Sequence, residues 1–246
     1  MTTQPETRTV ELATPDGPMA CYEARPAEPV GGVIVIQEAF GVNDHIEDVT
    51  RRFAAAGYHA VAPHLFHRAG GGTAPYGDFA KVIPLYEGLT DEGILVDVDA
   101  ARDHLHAAAL VDDQIGIVGF CFGGRVTFLI ALEHALGAAV GFYGGGIVTP
   151  RFPQFPALVG RVAELKSPWL GLFGDRDESI PVEDVEKLRA ALAEAPVPTD
   201  IVRYPDAEHG FHCDVRDSYH PDATKDAWTR TLAWFEQHLA VTEARR

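Results

Sequence analysis

The sequence IGIVGFCFGG at residues 115–124 decides the fold, because an apolar run ends there in the pattern Gly-x-Cys-x-Gly. The run predicts a buried strand, and residues 125–132 after it predict a helix. A strand, a sharp turn and a helix in this order have the shape of a nucleophile elbow, with Cys121 where Ser is usual. Gly119 and Gly123 lack side chains, so the strand and the helix can close tightly around a strained residue.

A cysteine in such a turn has two interpretations. The turn would hold the sulfur of Cys121 over the end of the sheet, where the helix N-terminus favours a thiolate and an oxyanion. Free cysteine is also often buried, so a purely structural Cys121 is the alternative. The turn alone leaves both open, and the other strand ends bear on the choice.

Strand and helix patterns alternate along the rest of the chain. This alternation predicts an α/β fold with a mainly parallel, doubly wound sheet flanked by helices, in a single domain over 1–246. The other predicted strands are 7–12, 19–24, 33–36, 58–62, 138–143, 169–173 and 200–204. The other predicted helices are 45–56, 91–109, 182–195 and 223–239, with a short one at 158–164. Residues 65–76 predict a long loop, and the apolar segment 79–89 is predicted to be broken by Pro84 and Gly88.

The composition excludes several classes of partner. The formal net charge is −16, from 20 Lys and Arg against 36 Asp and Glu, which argues against nucleic-acid and anionic-membrane partners. Three cysteines cannot all pair internally, and their spacing is not that of a zinc cluster. Residues 1–10 lack an apolar signal core, and no stretch has the length of a transmembrane helix. Since a nucleophilic Cys121 must stay reduced, a soluble cytoplasmic protein is predicted.

Reactive side chains follow four of the predicted strands. Cys121 follows the elbow strand, Asp175 and Asp177 follow residues 169–173, His209 follows residues 200–204, and Glu38 follows residues 33–36. Ligands of such sheets bind beyond the carboxyl ends of the strands, so we expect these groups to meet. Nucleophile, acid and histidine in this order match the chain order of α/β-hydrolases.

Each group suits one step of acyl transfer. The Cys121 thiolate would attack a carbonyl carbon, and His209 would move the proton, since its pKa lies near operating pH. An aspartate would orient His209, and Asp177 is favoured over Asp175 because it is nearer the loop that leads into the next helix. Asp175 could instead brace the turn through backbone N–H groups.

Other histidines compete for the role of the base. His212 is the main rival, and the weaker ones are His220, His64 and His67. A metal bound by His209, His212 and Asp214 is a further alternative, although no paired spacing on a regular element supports it, and no metal is predicted.

Glu38 is an unusual neighbour for a nucleophile. The backbone N–H after its strand usually contributes to an oxyanion hole, so Ala39 and Phe122 are the predicted donors. A carboxylate beside a thiol either keeps it protonated by repulsion or accepts its proton. The apolar run before Glu38 indicates that it is buried.

Five segments taken together resemble the dienelactone hydrolase family of α/β-hydrolases. They are residues 33–43, 119–124, 139–144, 174–181 and 204–211. The resemblance implies an α/β-hydrolase fold without a large lid domain, a triad of Cys121, His209 and Asp177, and no cofactor. It also implies that Glu38 forms a hydrogen bond to the thiol in the resting enzyme and releases the thiol when substrate binds.

The resemblance further implies a substrate, an enol-lactone with a free carboxylate. Phe40 and Tyr143 lie in the matching segments and are predicted to line the pocket. The sequence departs from the family where Arg side chains hold that carboxylate, because residues 211–214 and 81–93 contain no Arg. Lys81, Arg68 and Arg216 are the candidate replacements.

The leading hypothesis is therefore a hydrolase of small esters or lactones that acts through a thioester acyl-enzyme. A redox or electrophile sensor with a reactive Cys121, and Cys213 as resolving partner, is the alternative from another class. A binding protein on a hydrolase scaffold is a third hypothesis, which three intact triad residues disfavour. The sequence does not give the oligomeric state.

Overall fold

An eight-stranded sheet forms the centre of the computed structural model, which describes residues 4–240. The strands are β1 (Glu6–Thr14), β2 (Gly17–Arg25), β3 (Gly31–Ile36), β4 (Tyr58–Pro63), β5 (Ile115–Phe120), β6 (Ala138–Phe142), β7 (Trp169–Gly174) and β8 (Thr199–Tyr204). The helices are α1 (Asp44–Ala55), α2 (Phe79–Tyr86), α3 (Asp91–Ala107), α4 (Phe122–Glu133), α5 (Val182–Leu192) and α6 (Pro221–His238). Short 3₁₀ turns cover His67–Ala69, Asp112–Gln114 and Val159–Glu164.

The strand order is β1-β2-β4-β3-β5-β6-β7-β8. The β1–β2 and β2–β4 pairs are antiparallel, and all pairs from β4–β3 to β7–β8 are parallel. Every residue of β3, β4, β5, β6 and β7 is buried, as expected for strands covered on both faces. Because β3, β5, β7 and β8 run the same way, their carboxyl ends meet at one edge.

Helices cover both faces of this sheet. On one face α1 and α6 pack together through Phe53, whose ring lies 4.6 Å from Trp228 and 5.9 Å from Phe235. On the other face α3 packs beside α4. Asn43 caps α1 by accepting from Ile46 N at 3.2 Å, which agrees with the predicted start of that helix.

The prediction of a broken segment at 79–89 is wrong for most of its length. Residues Phe79–Tyr86 form α2, with Pro84 inside it and Asp78 as N-cap. Pro84 removes one N–H, a small loss in a two-turn helix whose Val82 and Tyr86, four residues apart, are both buried. In the described chain, α2 and one 3₁₀ turn are the regular elements between β4 and α3, so no large lid domain covers the sheet there.

Candidate active site

Cys121 occupies a strained turn between β5 and α4, with φ 55° and ψ −113°. A Cβ on Gly119 would lie 2.1 Å from the carbonyl oxygen of Gly123. A Cβ on Gly123 would lie 2.6 Å from the carbonyl oxygens of Ile36 and Gln37. Both contacts are impossible, so only glycine allows α4 to approach β3 and β5 this closely. The turn thereby places Cys121 at the carboxyl edge of the sheet.

The structure brings Cys121, His209 and Asp177 together. His209 Nδ1 lies 2.6 Å from Asp177 Oδ2, and Cys121 and His209 line the same open space, close enough for each to shift the pKa of the other. Asp177 is buried, whereas His209 is partly accessible. A thiol, an imidazole and a carboxylate thus lie in the order that a nucleophile, a base and an orienting group require.

The three groups shift one another's pKa values. Burial alone would raise the pKa of Cys121, but the charge and hydrogen bond of His209, with help from Arg151, bring it below its ordinary value. Burial alone would lower the pKa of His209, but Cys121 and Asp177 raise it. Burial opposes ionisation of Asp177, yet hydrogen bonds from His209 and Ser179 lower its pKa. These directions favour a thiolate beside an imidazolium.

Ser179 is a site residue that the sequence reasoning missed. Asp177 Oδ1 accepts from the backbone N of Ser179 at 2.8 Å, from its Oγ at 2.5 Å and from Ile180 N at 3.1 Å. Ser179 Oγ also lies 3.2 Å from His209 Nδ1. An aspartate followed two residues later by serine is the pattern of an Asx turn, which is the signal that could have found it.

The competing acid, Asp175, lines the same open space as His209 but has a different partner. Both carboxylate oxygens of Asp175 pair with Arg203, at 2.7 and 2.8 Å. Asp175 therefore neither reaches His209 nor braces its turn as predicted for it. The turn is braced by Asp177 instead.

The competing base is buried in an apolar layer. His212 packs against the rings of Phe120 and Phe142, with centroids 5.1 and 5.0 Å away. Burial lowers the pKa of His212 to about 3, so it stays neutral. Of the weaker rivals, His220 caps α6 and His67 contacts Asp97 at 3.0 Å. None of these histidines lines the space around Cys121.

Glu38 is fully buried beside this triad. Neither of its carboxylate oxygens has a hydrogen-bond partner among residues 4–240, although Arg216 Nη1 lies 3.6 Å from Oε1. The hydrogen bond from the resting thiol to Glu38 that the resemblance implies is therefore absent. Glu38 still acts on Cys121 through its charge, which raises the pKa of the thiol.

Neutralising that charge should make Cys121 more acidic. In Glu38→Gln the repulsion between carboxylate and thiolate is lost, so the pKa of Cys121 falls and more thiolate exists at any pH below it. We expect the midpoint of the pH dependence of iodoacetamide alkylation to move down by about 0.5 to 1 unit. Glu178→Gln, which changes a carboxylate at the edge of the site, is the matched control. An unchanged or higher midpoint in Glu38→Gln would contradict the electrostatic role.

Ala39 and Phe122 are the predicted oxyanion donors. The N–H groups of Ala39 and Phe122 have no hydrogen-bond partner in the described part of the chain. Both residues line a cavity with Cys121. An oxygen of a bound carbonyl could accept from both groups.

The two predicted pocket residues lie one layer behind the site. The ring of Tyr143 is fully buried, 5.1 Å from the ring of His209. Phe40 is buried against Tyr76 and Phe79, at 4.8 and 5.8 Å between ring centroids. Neither residue lines the two spaces that open onto Cys121, so each supports a neighbour that does.

Two spaces meet at Cys121. The first, here called the apolar cavity, has a volume of about 350 Å³. Its apolar walls are Phe79, Val82, Tyr86, Phe122, Phe152 and Phe155. The second, the polar cleft, has a volume of about 790 Å³. Its polar walls include His209, Arg151, Arg176, Arg216, Glu178 and Glu208.

The candidate replacements for the family's Arg side chains lie in different parts of the structure. Arg216 lines the polar cleft, whereas Arg68 pairs with Asp97 and Lys81 with Asp78, outside both spaces. Arg151, which the sequence reasoning missed, lines both spaces, and its Nη2 donates to the carbonyl oxygen of Ser179. Its position in the loop after β6, at the active edge of the sheet, is the signal that could have found it.

A possible metal-binding group lies away from this edge. Among residues 4–240, Glu23, His59 and His104 alone form a set whose ligand atoms all lie within 4.8 Å of one another. Arg8 pairs with the second oxygen of Glu23 and already balances its charge. The metal hypothesis for His209, His212 and Asp214 gains no support, since these residues form no such set.

Comparison with known proteins identifies the family. The model of the dienelactone hydrolase family matches residues 19–239. The chain belongs to this family. It is 41% identical over 230 residues to an Escherichia coli (strain K12) protein named "Putative carboxymethylenebutenolidase", an alignment that covers 89% of this chain and 83% of that protein. It is 31% identical over 234 residues to a Bradyrhizobium sp protein named "Probable 2-oxo-3-(5-oxofuran-2-ylidene)propanoate lactonase", with 94% of each chain covered.

A solved structure of a family member confirms the fold. The crystal structure of a "Putative Dienelactone Hydrolase" from Klebsiella pneumoniae matches with a TM-score of 0.88 and 38% identity, covering 96% of this chain and 100% of that one. The predicted α/β-hydrolase fold is thus confirmed, and as a dienelactone hydrolase family member the protein is a hydrolase of ester or lactone bonds. The redox hypothesis gains no support from these relatives. Within residues 4–240 no helix is long and apolar enough to cross a membrane.

Proposed function

We propose that this dienelactone hydrolase family member cleaves small esters or lactones with Cys121 as nucleophile, through a thioester acyl-enzyme. The observation that carries the proposal is that Cys121 and His209 line one cleft, with 2.6 Å between His209 Nδ1 and Asp177 Oδ2. The strained elbow that presents Cys121 gives independent support.

The first half-reaction forms the acyl-enzyme. The thiolate of Cys121 attacks the carbonyl carbon, and the N–H groups of Ala39 and Phe122 donate to the oxygen as it becomes negative. His209 then protonates the departing alcohol oxygen as the bond between carbon and oxygen breaks. In a lactone that alcohol stays attached to the acyl group.

The second half-reaction releases the product. His209, now neutral, removes a proton from water, which attacks the thioester carbonyl. The bond between carbon and sulfur breaks, and the carboxylic acid product leaves. Cys121 and His209 return to the ion pair that their pKa shifts favour.

The polar cleft supports a substrate with a free carboxylate on the alcohol side. Arg151 and Arg216 line the cleft together with His209. Guanidinium groups bind carboxylates through paired hydrogen bonds. The name of the Bradyrhizobium relative, a lactonase of a propanoate, agrees with such a substrate.

Trapping the intermediate tests the proposal. The protein is mixed with 4-nitrophenyl acetate, quenched in acid within one turnover and digested for peptide mass spectrometry. We expect acetylation of the peptide that contains Cys121, and unmodified Cys21 and Cys213, because both are buried. Turnover with acetyl on another residue, or on none, would reject the mechanism.

A further inference from the structure

The geometry points to the apolar cavity as the acyl pocket, selective for acyl groups with a phenyl ring or an alkyl chain of medium length. This inference rests on the proposed function and adds a substrate class to it. It predicts that the enzyme prefers such esters over acetates.

The walls of the cavity are aromatic and continuous. Tyr86 contacts Phe122 at 5.1 Å and Phe152 at 5.0 Å between ring centroids, and Phe122 contacts Phe155 at 5.5 Å. Val82 from α2 adds a further buried wall. A cavity of roughly 150 Å³ holds benzene, and this one has about 350 Å³. A substituted ring or a six-carbon chain therefore fits.

The positions of the catalytic groups decide which half of the substrate enters. His209, which must protonate the departing alcohol, lines the polar cleft and not the apolar cavity. Ala39 and Phe122, the oxyanion donors, line the apolar cavity and not the polar cleft. With Cys121 at the junction, the alcohol lies on the side of His209 and the acyl group on the other.

The deep charge in the cavity is already balanced. Arg125 lines it, but Nη1 and Nη2 pair with the two oxygens of Asp91 at 2.7 and 3.0 Å, and Nη2 also bonds to Pro156 O at 2.8 Å. An anionic acyl group that reached Arg125 would therefore lose its hydration without meeting a free cation, because Arg151, the other cation on the cavity wall, also lines the polar cleft and so lies where the two spaces meet. The cavity accordingly suits uncharged acyl groups.

The mouth of the cavity exposes apolar side chains. Phe79 is 61% exposed and Phe152 is 38% exposed, and both line the cavity. Exposed aromatic side chains beside a pocket are typical of binding sites for apolar groups. The mouth thus continues the apolar surface outward, where a longer acyl chain can lie.

Three 4-nitrophenyl esters with one leaving group test the inference, namely the acetate, the hexanoate and the phenylacetate. Because each buried methylene strengthens binding, we expect kcat/KM for the two larger esters to exceed that for acetate at least about tenfold. The ratio of kcat/KM for a larger ester to kcat/KM for acetate measures this preference. In Val82→Phe, which fills the cavity, this ratio should fall at least about tenfold. Ile83→Phe is the matched control on the same helix, since Ile83 is 57% exposed and does not line the cavity, and its ratio should not change.

A second variant guards against misfolding. If Val82→Phe misfolds, the rates for all three esters fall together and their ratio does not change. Phe152 is only half-buried, so its truncation is a second way to alter the cavity. Phe152→Ala should lower the ratio about threefold, since it removes part of one wall. A wild-type ratio near one, or a ratio that neither variant lowers, overturns the inference while ester hydrolysis stands.

Failure of the proposed function gives a different pattern. In that case the wild type cleaves none of the esters, and the selectivity of the cavity is tested by measuring ligand binding. Calorimetric titration with phenylacetamide and with acetamide should then show at least about tenfold tighter binding of phenylacetamide, lost in Val82→Phe. Equal binding of the two amides overturns the inference.

Discussion

Replacing Cys121 by Ala should lower kcat/KM for 4-nitrophenyl acetate by at least about 10⁴-fold, because the substitution removes the proposed nucleophile. The elbow keeps its two glycines, so the fold around position 121 should persist. Stopped-flow absorbance should also lose the burst of 4-nitrophenol that acyl-enzyme formation produces.

Cys213→Ala is the matched control for this loss. Cys213 is fully buried and lines neither the apolar cavity nor the polar cleft. We expect its kcat/KM to stay within about threefold of the wild type, as is usual away from a catalytic group. Equal activity of Cys121→Ala and the wild type would reject Cys121 as the nucleophile.

Much of this site could be predicted because parallel strands bring residues distant in sequence to one edge. Continuous apolar runs identify β3, β5, β6 and β7, and the side chains that follow such strands must converge. Cys121, Asp177 and His209 were predicted to meet in this way, and the structure brings them to one cleft. Gly119 and Gly123 were predicted for the close approach that the structure shows.

The rest could not be predicted because it depends on packing between segments far apart in the chain. Val82 lies on α2, Phe155 in the loop after β6, and Phe122 at the start of α4, and no local pattern shows that they share one cavity. Arg151 is a partial case, since its place after β6 points to this edge of the sheet, but only the three-dimensional path of its loop brings it to Cys121. Local patterns report propensity and burial, but they do not report which buried surfaces meet.

The charged partner of Glu38 also could not be predicted from local sequence. Its burial was predicted from the apolar run before it, but its partner was not, because a side chain at a strand end can turn to several neighbours. In the structure Arg216 Nη1 lies 3.6 Å from Glu38 Oε1, and the Cys121 thiol makes no hydrogen bond to Glu38. His209 and Glu38 therefore act on the thiol with opposite signs, and His209 has the larger effect on its pKa.

Asp177→Asn should lower kcat by about 10³- to 10⁴-fold, the usual loss when the orienting carboxylate of a triad becomes an amide. Asn cannot hold a protonated His209 by charge, and its amide can present a donor to Nδ1, which favours the wrong tautomer. Since the Asp177 carboxylate raises the pKa of His209, that pKa should fall in the variant. Rate measurements and NMR titration of the His209 ring check the two effects separately.

Asp175→Asn is the matched control that shows whether the loss of activity is specific to Asp177. It applies the same chemical change two residues away, to a carboxylate paired with the partly exposed Arg203. This pair holds no group to which a catalytic role is assigned, so activity should stay within about threefold of the wild type. An equal loss of activity in the two variants would mean that activity depends on the structure of the turn and not on the Asp177 carboxylate in particular. A larger loss in Asp175→Asn would reverse the assignment of the acid. The 2.6 Å contact between Asp177 and His209 predicts the opposite order.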